Sequence, residues 1–182
     1  MTAFPQALLA LNVPALDPFV DYIRSWPIGN WFRNEVGWLW PVCESLHFIG
    51  LILLIGAAGF FDLRLLGFMK GVSLRAAKKF IPWAMVGFAI NLITGLIFFI
   101  SQPQQYATNL SMWFKVLFLL IAGINAMLFE TSYSDRVLAL PADADTPLSA
   151  KVIGAVSLIS WFAVLYFGRM LPYIDPNPRS GV

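Results

Sequence analysis

The chain has 182 residues, 59% hydrophobic and 15% aromatic but only 12% charged, with a mean hydropathy of +0.73. Soluble domains run about 45–50% apolar and about 25% charged, so this composition excludes a water-surrounded globule and indicates an integral membrane domain. A net charge of +2, spread along the chain, excludes a nucleic-acid surface, and a single cysteine excludes an intrachain disulfide.

In chain order, residues 1–37 come first. The run "ALLALNV" has no basic region before it and is followed by Pro14 and Asp17 rather than a small-residue cleavage site, so it is not read as a secretory signal. "LDPFVDYIRSWPIGNWF" reads as one short amphipathic helix capped by Asp17, with Trp26, Trp31 and Phe32 suited to the headgroup zone. Four apolar stretches follow, at 38–61, 82–101, 112–129 and 152–171. Each approaches the roughly 20 residues that cross a hydrocarbon core as a helix. The expectation is an all-α polytopic membrane protein: a four-transmembrane-helix bundle over 38–172, preceded by an N-terminal interfacial helix and followed by an irregular tail at 173–182. Short connections predict consecutive helices as antiparallel neighbours.

Basic residues set the orientation. The first connection, 62–81, holds Arg64, Lys70, Arg75, Lys78 and Lys79 against Asp62, while the second, "QPQQYATN", carries no charge. The first is therefore expected in the cytoplasm, with the second and both termini in the periplasm of a bacterial inner membrane. The third connection, with Glu130, Asp135, Arg136, Asp143, Asp145 and Lys151, has only two basic residues and adds nothing to the orientation.

With that topology, depth follows at about 1.5 Å per residue. Glu44 and His47 near the start of the first span, Lys115 one turn into the third and Arg169 in the last turn of the fourth all fall in the outer leaflet. Ionisable groups inside a membrane are costly and mark function or pairing. Glu44 and His47 are three residues apart and share a helix face, and both are expected to point into the bundle. Lys115 and Arg169 are also placed to snorkel to the headgroups. His47, the only histidine, is too deep and too short for that.

Two chemistries suit these residues. Haem b takes a His axial ligand, Lys or Arg partners for its propionates and an apolar slot. Small residues at Gly50, Gly56, Ala57, Ala58, Gly59, Gly87, Gly95 and Gly123 offer such a slot, or simply close helix packing. A bundle of paired histidines is excluded by the single His. Copper(I) would instead use Cys43 and His47, four apart on one helix, with Met112 and Met170 at the same level.

"LHFIG", "LRLLG" and "MWFKVLFLLIAGINAMLF" resemble the HemJ-type protoporphyrinogen oxidases over about residues 38–130, and the last of these also resembles the CopD-type copper-resistance domain. The whole chain is similar to a family of small four-helix bacterial inner-membrane proteins. The HemJ resemblance implies His47 as haem ligand and Lys115 as a second functional residue; the oxidase activity is not carried over. The resulting expectation is a membrane protein with a periplasmic-leaflet site of His47, Glu44, Lys115 and Arg169, binding haem b or serving a membrane redox system. The alternatives are a copper-handling protein and a cofactor-free structural or assembly subunit. Expected partners are the lipid bilayer and either subunits of a redox complex or further copies of the chain.

Overall fold

The computed structural model describes residues 16–34 and 37–174. Four helices are long and apolar enough to cross a membrane, so the chain is a multi-pass, all-α membrane protein. Two short helices lead in: α1 (Asp17–Arg24) and α2 (Pro27–Asn34). The single interfacial helix expected here is thus broken in two. Pro27 has no N–H to continue α1 and instead opens α2. Asp17 lies in the first turn of α1 and does not cap it; Leu16 holds the N-cap position without a side-chain hydrogen bond. Residues 1–15 and 175–182, which include the "ALLALNV" run and nearly all of the tail, lie outside the described residues.

The first span is α3 (Leu39–Leu65), followed by a turn in which Gly67 takes φ 95° and Met69 φ 51°. Ser73 then caps α4 (Leu74–Lys78), accepting from Ala76 N at 3.2 Å. The second span, α5 (Ile81–Ser101), has a proline in its first turn. A short α6 (Pro103–Ala107) leads to α7 (Leu110–Leu128), capped by Asn109, which accepts from Ser111 N at 2.9 Å. One π-helical turn (Phe129–Tyr133) passes into α8 (Ser134–Leu138), and α9 (Leu148–Met170) is the last span.

The packing order differs from the chain order. α3 lies along α5, α7 along α9, and α3 along α9, whereas α5 and α7, although consecutive spans, barely meet. In space the row is therefore α5–α3–α9–α7. The expectation that all consecutive spans are neighbours fails at this one junction. The reason is in the connections: α6 reaches back to α1 as well as forward to α7, so it bridges the two hairpins without drawing their spans together.

Close backbone approach explains several of the small residues. A Cβ on Gly87 would stand 2.5 Å from Gly50 O, and one on Gly50 2.9 Å from Gly87 O, so α3 and α5 cross backbone to backbone. A Cβ on Gly154 would stand 2.9 Å from Asp62 O, marking the α3–α9 crossing. Gly56 and Gly123 have nothing within 4 Å.

The main apolar core lies at the end of the bundle that carries α4 and α8, with Phe61, Leu65, Leu74, Ala77, Phe129, Val137, Ala150 and Ile153 buried together. Arg64 locks this end. It is fully buried; its Nε donates to Val72 O at 2.6 Å and its Nη2 to Ala142 O at 2.7 Å. Thr146 Oγ1 donates to Leu65 O at 2.6 Å. Asp62 is buried as well, with the Ser157 hydroxyl hydrogen-bonded to its carboxylate. The first span thus ends four residues beyond its expected end, and two charges counted as part of a connection belong to the helix interior.

Candidate functional site

His47 comes from the half of α3 nearer the α6 end. Its Nδ1 lies 2.7 Å from Thr94 Oγ1 on α5. The threonine hydroxyl is also 2.7 Å from Ile90 O, the carbonyl one turn earlier on its own helix. A hydroxyl carries one proton. With that proton on Ile90 O, Thr94 accepts from Nδ1–H, and this network assigns the tautomer. Nε2 is then the nitrogen with the free lone pair, and no hydrogen bond engages it among the described residues.

The ring is half-buried and shares its surroundings with α5. The Phe98 ring centroid is 5.7 Å away, and a Cβ on Gly95 would lie 3.9 Å from His47 Cε1. Gly95 thus leaves room beside the imidazole. One turn deeper, Asn91 Nδ2 donates to Gly87 O at 3.0 Å while its buried Oδ1 has no partner among the described residues.

Lys115 is half-buried on α7, and its Nζ lies 3.7 Å from the position of a Gly168 Cβ on α9. Its stem therefore rests on the bare backbone of the neighbouring helix. It forms no ion pair among the described residues, and it stands within Coulombic range of His47.

Glu44 and Arg169 do not join them. Glu44 is exposed on the surface of α3, which corrects the expectation that it points into the bundle with His47. Three residues of helix turn the two side chains about 60° apart, enough to put one against α5 and the other outside. Its electrostatic partner is Tyr106 on α6, where burial, and secondarily the Glu44 charge, push the phenol up to about 12. His47 Nδ1–H is taken by Thr94, so Glu44 is not its acceptor. Arg169 is exposed in the last turn of α9, the position from which a long side chain snorkels.

Cys43 is buried beside Phe32, Trp40, Ile97, Phe98 and Ser101, with none of its pocket lining drawn from α7 or α9. Met112 and Met170, which belong to those helices, are half-buried. Among the described residues, no three His, Cys, Asp or Glu side chains cluster as they would around a metal ion.

Sequence reasoning missed Thr94, Tyr106, Asp62 and Arg64. The first two had no legible signal. The last pair had one, since two charges directly after an apolar run can extend a helix as well as end it. Compared with known proteins, the chain matches no family model, no curated protein and no solved structure.

Proposed function

We propose that the chain is a bacterial inner-membrane protein in which His47 would hold haem b, serving a membrane redox system. The observation that carries the reading is the 2.7 Å approach of His47 Nδ1 to Thr94 Oγ1, which orients the ring and, with the threonine hydroxyl donating to Ile90 O, leaves Nε2 as the ligating nitrogen. Metal-bound histidines are held by just such a second hydrogen bond. The residues fit the group in two further respects. Gly95 leaves space at the imidazole edge, and Lys115, with no anion of its own among the described residues, supplies a cation for a propionate. When bound, haem would supply one-electron chemistry. This chain's own residues would hold the ring of His47 in place, offer a positive charge beside it and keep water out with Phe98 and its neighbours.

The HemJ-type resemblance points to the same two residues, His47 and Lys115. The uncharged α6 connection and the basic α4 side support periplasmic termini and a site in the periplasmic leaflet; labelling of Gln105→Cys but not Arg75→Cys by an impermeant reagent on whole cells is the expected pattern. The test of function is a reduced-minus-oxidised absorption spectrum of protein purified from haem-replete cells. A haem signal that disappears in His47→Ala is the expected result. Wild-type protein without a chromophore would remove the reading and leave the cofactor-free subunit in its place. Copper in the wild-type protein, lost in both Cys43→Ser and His47→Ala, would favour the metal alternative.

A further inference from the structure

A basic groove at the α4–α8 end lies away from His47 and takes no part in the reading above. It is open, encloses about 360 Å³, and is lined by Arg75, Lys78, Lys79, Asp135 and Leu138. Arg75 Nε donates to Leu138 O at 3.0 Å, which holds the α4 and α8 sides together. Lys78 Nζ is 2.7 Å and 2.8 Å from the two carboxylate oxygens of Glu130 and 2.9 Å from Ser134 Oγ. Its charge is therefore answered within the protein. The charges of Arg75 and Lys79 are not: both side chains are exposed and neither forms an ion pair among the described residues. Two uncompensated cations face one carboxylate, Asp135.

The groove has a particular place in the fold. α4 runs into α5 and α8 follows α7; α4 meets α8 and Lys78 reaches Glu130, so the groove stands where the outermost spans α5 and α7 draw near each other at one end, and because they barely meet along their length a seam is left between them. Both spans carry exposed apolar side chains along their length, among them Met85, Leu92 and Ile93 on α5 and Leu117, Leu120 and Ile124 on α7. Phe80 and Trp83 are exposed beside the groove, where aromatic residues mark the headgroup level. Cations at that level above an apolar seam match an amphiphile with an anionic head.

We propose that Arg75 and Lys79 bind the headgroup phosphate of an anionic glycerophospholipid whose acyl chains lie in the seam between α5 and α7. A free phosphate shares the head chemistry but makes no use of the seam. The experiment uses the full chain purified in detergent and titrated with phosphatidylglycerol, phosphatidylcholine or inorganic phosphate, read by native mass spectrometry and thermal midpoint. Phosphatidylglycerol is expected to be retained and to raise the midpoint, phosphatidylcholine to do neither, and excess phosphate to leave the lipid in place. Lys79→Gln should weaken phosphatidylglycerol retention about fivefold, and Asp135→Asn should strengthen it. Equal retention of the two lipids, displacement by phosphate, or unchanged retention in both variants would overturn the proposal. Should Lys79→Gln fail to fold, the opposite-signed Asp135→Asn variant decides alone.

Discussion

Thr94 does two things with one oxygen: it accepts the hydrogen bond of the imidazole N–H and donates its own hydrogen to Ile90 O. Thr94→Val keeps the shape and removes the acceptor, so the His47 ring loses its fixed tautomer and direction. Under the haem reading, affinity should fall by about 10-fold or more, and Thr94→Ser should restore it. A haem titration at matched protein concentration checks both, and a valine variant that loads like wild type would rule out a positioning role for the threonine. His47 was legible in the sequence because a lone imidazole in an apolar run has few neutral explanations. Thr94 was not, because it stands 47 residues away and a threonine in a membrane helix ordinarily satisfies itself on its own backbone. The side on which Glu44 emerges was also hidden, since spacing along one helix fixes relative directions and not which direction the neighbouring helix occupies. Asp62 and Arg64 looked like connection residues because charge usually ends a span. Here the carbonyls of Val72 and Ala142 and the hydroxyl of Ser157 receive them, so the helix continues.

Among the elements, α3 carries most of the packing. At 27 residues it is about 40 Å long, beyond the roughly 30 Å of a hydrocarbon core, so its last turns stand in the α4–α8 cap. Its crossing with α5 tolerates nothing larger than hydrogen at Gly87. Gly87→Leu should lower stability by about 1–3 kcal/mol, measured as a fall in thermal midpoint in detergent. Gly56→Ala, with nothing within 4 Å of the new methyl, should leave the midpoint unchanged. A tolerated Gly87→Leu would mean the two helices do not cross there. The connection from α8 to α9 has its own electrostatic anchor in Asp145, which pairs with Lys151 at 2.9 Å and Lys70 at 3.6 Å. The Lys151 hydrogen bond chiefly holds its carboxyl below the ordinary value of 3.8. A carboxylate depressed in the folded state contributes stability above its unfolded pKa and loses it as pH falls through the folded one. The contribution should therefore be present at neutral pH and disappear below about pH 4. Asp145→Asn should remove that part of the acid dependence, and salt should weaken it; acid melting curves of the two proteins, superimposable down to pH 3, would discount the anchor. All four spans were legible from apolar length alone. The break at Pro27 was written in the sequence too, in the residue that cannot continue a helix.

At the scale of the whole molecule, the row α5–α3–α9–α7 divides the chain into two hairpins, each joined through its own short helix, α4 or α8, at the same end. Sequence patterning could not reveal this order, because every span is apolar on all sides and none advertises a preferred neighbour. The hairpins meet along α3 and α9, at Gly154, at the Arg64 bonds to residues 142 and 144, and where Lys78 Nζ lies 2.7 Å from the Glu130 carboxylate. None of these contacts depends on the covalent link between Thr108 and Asn109. The protein is thus two pieces that happen to be written as one. Expressed together from separate reading frames, residues 1–108 and 109–182 should find each other in the bilayer and co-purify through a tag on either one. Substituting Arg64 by Ala in the first fragment should sharply reduce that recovery. Fragments that never assemble would mean that the peptide link, and not the α3–α9 seam, keeps the halves together.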